Sequence, residues 1–288
     1  MGKIAIVTDS NSGITQEEAK VQGIFVVPMP FLIDGQEYYE DITLSQQQFY
    51  EKLAGNGSVS TSQPSIESLT KMWDKVLEDY EELIYIPMSS GLSGSCQTAT
   101  MLAEDYDGKV IVVDNQRISV TQRRAAEDAY AMVQAGKSSE EIYKALMETK
   151  LEASIYIMVD TLKYLRKGGR LTPAVAALGT ILRIKPVLQI QGEKLDTFAK
   201  ARTAKQGISI MLDAMEKDVE QRFGSNLEQL YIDIAHTENA QGAEALRQEI
   251  QKRYPNQEVR INPLSLSVSC HIGPGAMAIA MAKKASKL

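Results

Sequence analysis

The stretch Lys3-Ile4-Ala5-Ile6-Val7, followed at once by Thr8-Asp9-Ser10, decides the fold class of this chain. Its run of apolar residues without polar alternation predicts a strand that is buried on both faces. Residues 83–86 and 110–113 have the same character. Strands of this kind are typical of parallel sheets covered by helices. The first half therefore predicts an α/β domain with a parallel, Rossmann-like sheet.

Helical periodicity between these strands supports the same arrangement. Apolar side chains in residues 65–80 recur at the three- and four-residue spacing of one buried helix face. These side chains are Ile66, Leu69, Met72, Trp73, Val76, Leu77 and Tyr80. An Asp34-Gly35 pair after an extended stretch is a strong hairpin signal. We therefore expect one hairpin inserted among the alternating strands and helices.

The second half of the chain has a different pattern, with paired strands in place of simple alternation. We predict a strand at 155–159, a small-residue helix at 171–182, hairpin strands at 187–191 and 195–201, an irregular stretch at 263–272 and a last helix at 276–285. This order indicates a second α/β domain with a mixed or antiparallel sheet. We place the two domains at residues 1–152 and 153–288, with a ligand cleft between them.

Composition excludes several classes of function. The chain has 288 residues, and its net charge of −6 disfavours nucleic acid, which requires clustered Lys and Arg. The two cysteines, Cys96 and Cys270, do not form a disulfide framework, which favours the reducing cytoplasm. We find no signal segment and no apolar run of roughly 18 residues that could span a membrane.

Hydroxyl-rich segments lie where strands are expected to end. Ser89-Ser90-Gly91-Leu92-Ser93-Gly94-Ser95 follows one predicted strand and opens a helix predicted at residues 92–106. Backbone N–H groups at a helix N-terminus, with glycines that allow close approach, suit a carboxylate or phosphate. Helix capping explains one serine without any ligand, so both interpretations stay open. A second such segment, residues 60–65, precedes the helix predicted at residues 65–80, and for it capping without a ligand is the favoured interpretation.

Two histidines and one arginine are further candidates. His271 precedes Gly273-Pro274-Gly275, which predicts a loop histidine on a stiff turn that could donate a hydrogen bond or act as a base. We interpret His236 as structural. Arg170 follows two glycines and is either a solvated charge or a contact for an anion or a partner.

The sequence lacks the motifs of two nucleotide-binding loops, of a serine nucleophile elbow and of a zinc site. It has neither a G-x-x-x-x-G-K-[ST] loop nor a G-x-G-x-x-G fingerprint. The segment Gly91-Leu92-Ser93-Gly94-Ser95 misses the G-x-S-x-G nucleophile elbow by its last residue. Two His and two Cys without ligand spacing disfavour zinc, and we expect no cofactor.

Five short segments, in this order, are similar to those of one protein family. They are Thr8-Asp9-Ser10, Thr61-Ser62-Gln63-Pro64-Ser65, Ser89-Ser90-Gly91-Leu92-Ser93-Gly94, Lys167-Gly168-Gly169-Arg170 and His271-Ile272-Gly273-Pro274-Gly275. Each is weak alone, but together they span nearly the whole chain. They resemble the DegV family of bacterial fatty-acid-binding proteins.

The resemblance implies two α/β domains with a long-chain fatty acid, such as palmitate, stearate or oleate, between them. It implies a lipid-binding protein whose carboxylate ligand is held by the hydroxyls of Thr61 and Ser93, with His271 nearby. Ser62 and Gly94, in the same segments, are also expected to contact the ligand. The acyl chain is expected in an apolar tunnel of the second domain.

The resemblance also implies a partner, because some members of the family act as the carrier subunit of a fatty acid kinase. A separate ATP-binding subunit then phosphorylates the presented carboxylate. Arg170 matches, by position, an arginine that looks important for that step. The chain departs from the family at Gly13, where Asp is frequent, and at Ser269-Cys270, where a Gly-Thr type pair is frequent. These departures bear on chain-length preference and kinase pairing.

Two other functions compete with lipid binding. One is a serine hydrolase of acyl esters, with Ser93 as nucleophile and His271 as base; the other is a sensor that binds a small anion without an acyl chain. The stretch 178–182 together with Val187 and Leu188 could line an acyl tunnel or be ordinary core.

Overall fold

The computed structural model describes residues 3–55, 57–170, 173, 175 and 184–287. Its strands are β1 Ile4–Asp9, β2 Phe25–Val27, β3 Pro30–Ile33, β4 Gln36–Tyr39, β5 Val59–Thr61, β6 Glu82–Ile86, β7 Val110–Val112, β8 Ala153–Met158, β9 Lys185–Ile190, β10 Leu195–Ala201, β11 Leu230–His236, β12 Val259–Pro263 and β13 Met277–Lys283. Its α-helices are α1 Gln16–Gln22, α2 Gln46–Ala54, α3 Ile66–Leu77, α4 Ser95–Ala103, α5 Ser119–Gln134, α6 Ser139–Glu148, α7 Lys163–Lys167, α8 Ala204–Gln221, α9 Ala240–Arg253 and α10 Leu266–Ile272.

The first sheet is parallel throughout, as predicted, with strand order β2-β1-β6-β7. Val7 packs against α3, where Trp73 is fully buried, while Ile6 packs on the other face against α5 and α6. Burial on both faces explains why these strands lack polar alternation. One residue of the predicted helix face is an exception, because Ile66 at the start of α3 is 56% exposed.

A small antiparallel sheet, of order β4-β3-β5, projects from the first half of the chain. The hairpin predicted at Asp34-Gly35 joins β3 to β4, with φ of 52° and 83° at these two residues. Positive φ at both central positions is the geometry that an Asp-Gly turn favours. The third strand, β5, ends at Thr61 and so brings a predicted site residue to the edge of this sheet.

The second sheet is mixed, as predicted, with strand order β10-β9-β8-β13-β11-β12. Only β11 and β12 in it run parallel, and the predicted hairpin is formed by β9 and β10. Helices α8 and α9 cover one face, and the other face contributes Ile155 and Ile157 to a core shared with the first half. The two-domain α/β fold is therefore confirmed, whereas the boundary between residues 152 and 153 stays a prediction.

Two secondary-structure predictions near the end of the chain are wrong. Residues 276–285 were expected to form a helix, but Met277–Lys283 is a strand between β8 and β11. Its alanines favour a helix, but pairing on both edges and burial on both faces outweigh that propensity. Residues 263–272, expected to be irregular, contain α10, which begins after Ser265 and ends before Gly273.

The predicted helix at 171–182 falls mostly outside the described residues. Pro173 and Val175 are described, and both are helical. The stretch 178–182, suggested as part of an acyl tunnel, lies outside the described residues altogether.

Candidate functional site

A cavity of about 950 Å³ lies between the two halves of the chain. From the first half it is lined by residues that follow the carboxyl ends of β1, β2, β6 and β7, namely Asn11, Met29, Met88 and Ile118. This is the edge of an open parallel sheet where ligands are expected. The second half contributes the apolar side chains of Ile155, Ile157, Ile190, Leu195 and Ala278, among others.

The suggested tunnel residues Val187 and Leu188 do not belong to this lining. Both are fully buried in β9, and Leu188 packs in the core cluster that surrounds the cavity. For these two residues the ordinary-core interpretation therefore holds.

Thr61 and His271 meet at the polar end of the cavity. Thr61 Oγ1 lies 2.8 Å from His271 Nε2, although 210 residues separate them in the sequence. Thr61 is placed by the pairing of β5 with β3, and His271 by the last turn of α10. His271 was expected on a loop, but the helix and its Gly273 cap hold it instead. Ser62 and Gln63 line the cavity beside them.

The imidazole of His271 is uncharged at neutral pH. Burial and the nearby positive charge of Arg170 lower its pKa to about 4. Its Nδ1 is buried and has no hydrogen-bond partner among the described residues. A Cβ on Gly168 would lie 2.0 Å from that Nδ1, so only glycine fits against the ring at this position. Gly168, the first of the two glycines before Arg170, therefore has a packing role that the sequence did not indicate.

The serine-rich segment forms a loop, and α4 begins at Ser95, three residues later than predicted. Two of its serines are held by other parts of the molecule: Ser89 Oγ donates to the Glu193 carbonyl at 3.0 Å, and Ser90 Oγ to Asp114 at 2.6 Å. Ser93 lines the cavity, and its Oγ accepts a hydrogen bond from the Ser95 N–H at 3.2 Å. Ser93 therefore lines the cavity and bonds the first N–H of α4, while the N-cap position itself is Gly94, where no side chain caps the helix.

Gly94 and Arg170 lie at the mouth. Gly94 does not line the cavity itself; it lines an adjoining polar groove of about 770 Å³ together with Ser93, Arg170 and Lys194. Arg170 is exposed, lines both spaces, and its Nη1 donates to the Gly168 carbonyl at 2.5 Å. The groove thus places two cationic side chains beside the polar end of the cavity.

Among the residues of the site that the sequence analysis did not single out, three have a clear structural role. Asn11 and Ser267 line the cavity and bond to each other across 256 residues. Gly91 lets the serine loop approach the second half of the chain, since a Cβ there would lie 2.3 Å from the Glu193 carbonyl oxygen. Of the three, only Gly91 could have been found from the sequence, because it stands within the serine-rich segment. No local sequence pattern indicates Asn11 or Ser267.

His236, interpreted as structural, ends β11 and is 9% exposed. Its Nδ1 accepts the Asn239 N–H at 3.2 Å at the start of α9. It is not among the residues that line the cavity.

The hydrolase alternative finds little support in this geometry. A serine hydrolase needs its histidine bonded to the nucleophile and oriented by a third group. Here His271 Nε2 contacts Thr61 and not Ser93, and within the described part of the chain Nδ1 contacts no carboxylate.

The residues that the structure describes include no group of three His, Cys, Asp or Glu side chains that could hold a metal ion. No described helix is long and apolar enough to cross a membrane.

Sequence comparison identifies relatives over nearly the full length. A family model described as "Uncharacterised protein, DegV family" matches residues 3–284. A DegV domain-containing protein of Listeria innocua is 31% identical over 280 residues, which cover 96% of this chain and 97% of that protein.

Comparison of folds gives a consistent result. The crystal structure of DegV from Bacillus subtilis, described as a fatty acid binding protein, has a TM-score of 0.88 and 30% identity, over 99% of this chain and 100% of that one. A DegV family protein from Thermus thermophilus, described by its fatty acid binding, has a TM-score of 0.89 and 26% identity. The coverage there is 98% of this chain and 99% of the other.

Proposed function

Because this chain belongs to the DegV family, we propose that it binds one long-chain fatty acid in the cavity between its two halves. The observation that carries the proposal is the cavity itself, apolar along most of its wall and polar at the end formed by Thr61, Ser93 and His271. An amphipathic ligand with one charged end fits this distribution.

The carboxylate is held by two hydroxyl groups whose protons are free for it. With the imidazole proton on Nε2, His271 donates to Thr61 Oγ1, and the Ser95 N–H donates to Ser93 Oγ. Each hydroxyl oxygen thus accepts a hydrogen bond from the protein and keeps its own O–H to donate. Hydrogen bonds to an ionised acceptor are about twice as strong as neutral ones, so no direct salt bridge is needed.

The acyl chain supplies most of the affinity. Each methylene that leaves water for an apolar wall contributes about 0.8 kcal/mol. Side chains from both halves, such as Met88, Ile118, Ile155 and Ile157, form that wall. A small polar metabolite would leave these side chains uncovered, which favours a lipid over the anion-sensor alternative.

We further propose that the bound fatty acid is presented to a separate ATP-binding kinase subunit, so that this chain acts as a non-catalytic carrier. Exposed Arg170 and Lys194 in the groove beside the carboxylate support this role, because both cationic side chains can contact an arriving phosphoryl group. Lys194 also lies 3.3 Å from the Glu193 carboxylate, so Arg170 carries most of this argument. The two cysteines are buried and unpaired, which suits a reducing compartment such as the cytoplasm.

The decisive experiment is fatty acid retention by a double variant, Thr61→Ala with Ser93→Ala. We expect the purified wild-type protein to carry about one fatty acid per chain in native mass spectrometry. Loss of two charge-assisted hydrogen bonds, each worth about 1.5–3 kcal/mol, should lower affinity by more than a hundredfold.

A matched control is Ser60→Ala, which removes an exposed hydroxyl next to Thr61 on the same strand. It should retain the lipid. Unchanged retention by the folded double variant would contradict the carboxylate assignment, and a wild-type protein that takes up no fatty acid would contradict the function.

A further inference from the structure

The N-terminus of α5 lies at the apolar part of the cavity wall. Ile118, Ser119 and Val120, at the start of this 16-residue helix, all line the cavity. Ile118 and Val120 also belong to the apolar cluster that contains Ile155 and Ile157. The hydrogen bonds at the polar end of the cavity do not involve this helix. The start of α5 is therefore a place where the cavity meets a helix N-terminus away from the carboxylate-binding hydroxyls.

The first backbone N–H groups of α5 have no acceptor in the protein. Ile118, the residue before the helix, has no side-chain atom that could accept a hydrogen bond. Thr121 Oγ1 accepts from the Ile118 N–H at 3.4 Å and donates to the Ile118 carbonyl at 2.8 Å. Among the residues that the structure describes, none accepts from the N–H of Ser119, Val120 or Thr121. The donors and the partial positive charge of this helix end are thus left to the cavity.

The hydroxyl of Ser119 is a further group without a partner at the same place. Ser119 is only 7% exposed, and it lines the cavity. Within the described part of the chain its side chain makes no hydrogen bond. A serine that caps a helix accepts from a backbone N–H of that helix, as Ser45 and Ser65 do for α2 and α3. Because Ser119 caps nothing, its O–H is free to donate into the cavity.

These groups suit a ligand atom that accepts hydrogen bonds. A plain alkyl chain that covers them removes the donors from water without a replacement partner, which is unfavourable. A ketone oxygen only accepts hydrogen bonds, so it matches backbone N–H groups and a hydroxyl that can all donate. It is also uncharged, and a charge among apolar side chains would be far more costly to bury.

We propose that the cavity recognises long-chain fatty acids that carry a keto group within the acyl chain, with the ketone oxygen held by the Ser119 hydroxyl and the first N–H groups of α5. The proposal rests on the fatty acid binding proposed above and specifies the ligand class of that same site. The carboxylate stays with Thr61 and Ser93. The favoured ketone is therefore the one whose distance along the chain matches the separation of Ser119 from these hydroxyls.

The test is competition binding to the delipidated full-length protein with stearate and a series of oxostearates, whose ketone moves from near the carboxylate to near the methyl end. One net hydrogen bond predicts that one position, or two neighbouring positions, bind about fivefold more tightly than stearate. Ketones elsewhere should bind more weakly than stearate, because they are buried without a partner. If no oxostearate binds more tightly than stearate, this inference is overturned while the fatty acid site stands. If neither stearate nor any oxostearate binds, the proposed function itself is overturned.

Variants separate ketone recognition from other roles of Ser119. Ser119→Ala should remove most of the preference for the favoured oxostearate, while stearate affinity stays within about twofold. Ser119→Gly removes the same hydroxyl and tolerates the backbone φ of 55° at this position, so it should give the same result even if alanine disturbs the fold. An equal loss of affinity for both ligands would assign Ser119 to the carboxylate or to the fold, against the proposal.

The matched control is Ser269→Ala. This change removes a buried hydroxyl that accepts from Tyr50 at 3.1 Å and does not line the cavity. The control protein should keep the preference for the favoured oxostearate. Loss of the preference in both variants would show that it does not depend on the hydroxyl at the start of α5, which would also overturn the inference.

Discussion

At the scale of single residues, the surroundings of His271 keep its imidazole neutral. The ring is crowded by the Gly168 backbone and faces the positive charge of Arg170, so a second positive charge on it is unfavourable. A neutral imidazole can still donate through Nε2 and so prepare Thr61 for an anion. In the proposed function the histidine is therefore a positioning residue for a hydroxyl rather than a base.

This electrostatic arrangement predicts a shift that NMR can follow. In the lipid-free protein the pKa of His271 should be near 4, because the charged ring is disfavoured. A bound carboxylate places a negative charge beside the ring and should raise that pKa by one or more units. A titration with labelled histidine measures it, and the chain has only two histidines to assign. His236, which does not line the cavity, should titrate the same with and without lipid; an unshifted His271 would place the carboxylate elsewhere.

At the scale of elements, α10 is held at both ends. At its N-terminus, the backbone N–H of Leu266 donates a hydrogen bond to Glu40 Oε2 at 2.8 Å. Its C-terminus ends at Gly273, with φ of 76°, and carries His271 into the cavity. Gln46 donates to the other oxygen of Glu40 at 2.6 Å. A short helix is thereby kept at a fixed position between the first half of the chain and the second sheet.

The buried carboxyl group of Glu40 should make the stability of the fold depend on pH. Burial, aided by the charge of Asp41, raises the pKa of Glu40 to about 7 from an unfolded value near 4.5. The folded state thus binds the Glu40 proton more tightly than the unfolded state does. The resulting contribution to the free energy of unfolding is complete below pH 4.5, and it is lost as the pH rises through 7. For this residue we expect a decrease in unfolding free energy of roughly 3 kcal/mol at most between pH 4.5 and 8.

Urea unfolding at pH 5 and pH 8 measures this contribution. Glu40→Gln should remove most of it, since glutamine does not titrate and can still accept from Leu266. Glu51→Gln, which changes an exposed carboxylate on α2, is the control and should leave the pH dependence as in wild type. Equal pH dependence in all three proteins would show that Glu40 does not titrate in this range.

At the scale of the whole molecule, a buried ion pair connects the two halves. Arg124 on α5 donates two hydrogen bonds, of 2.8 and 2.7 Å, to the carboxylate of Asp233 on β11. Both side chains are about 4% exposed. The charges compensate each other in a place where either alone would be costly. The pair therefore contributes to the relative position of the walls of the cavity.

Removal of one partner should destabilise the fold strongly. Asp233→Asn leaves Arg124 buried, with Glu127 as its one remaining ion-pair partner among the residues that the structure describes. We expect a loss of roughly 3–5 kcal/mol in unfolding free energy. The exposed pair between Arg253 and Glu216, 2.7 Å apart, is the control. Glu216→Gln there should cost less than about 1 kcal/mol. Similar losses for the two variants in denaturant unfolding would argue against a special role for the buried pair.

The sequence by itself determined the elements whose signals are local. The apolar runs at β1, β6 and β7 predicted a parallel sheet because both faces of such strands are buried, and Asp34-Gly35 predicted its hairpin through backbone preference. The serine loop was found because strand ends and helix starts are local features. The grouping of site segments came from a family resemblance and not from periodicity.

Only the tertiary structure decided what depends on distant partners. The alanine-rich strand Met277–Lys283 exists because β8 and β11 pair with both its edges, which overrides its helical preference. Thr61 meets His271 across 210 residues, and Asn11 meets Ser267 across 256. No local pattern encodes such pairs, since hydrogen bonds between side chains form wherever packing of the whole chain brings donor and acceptor together.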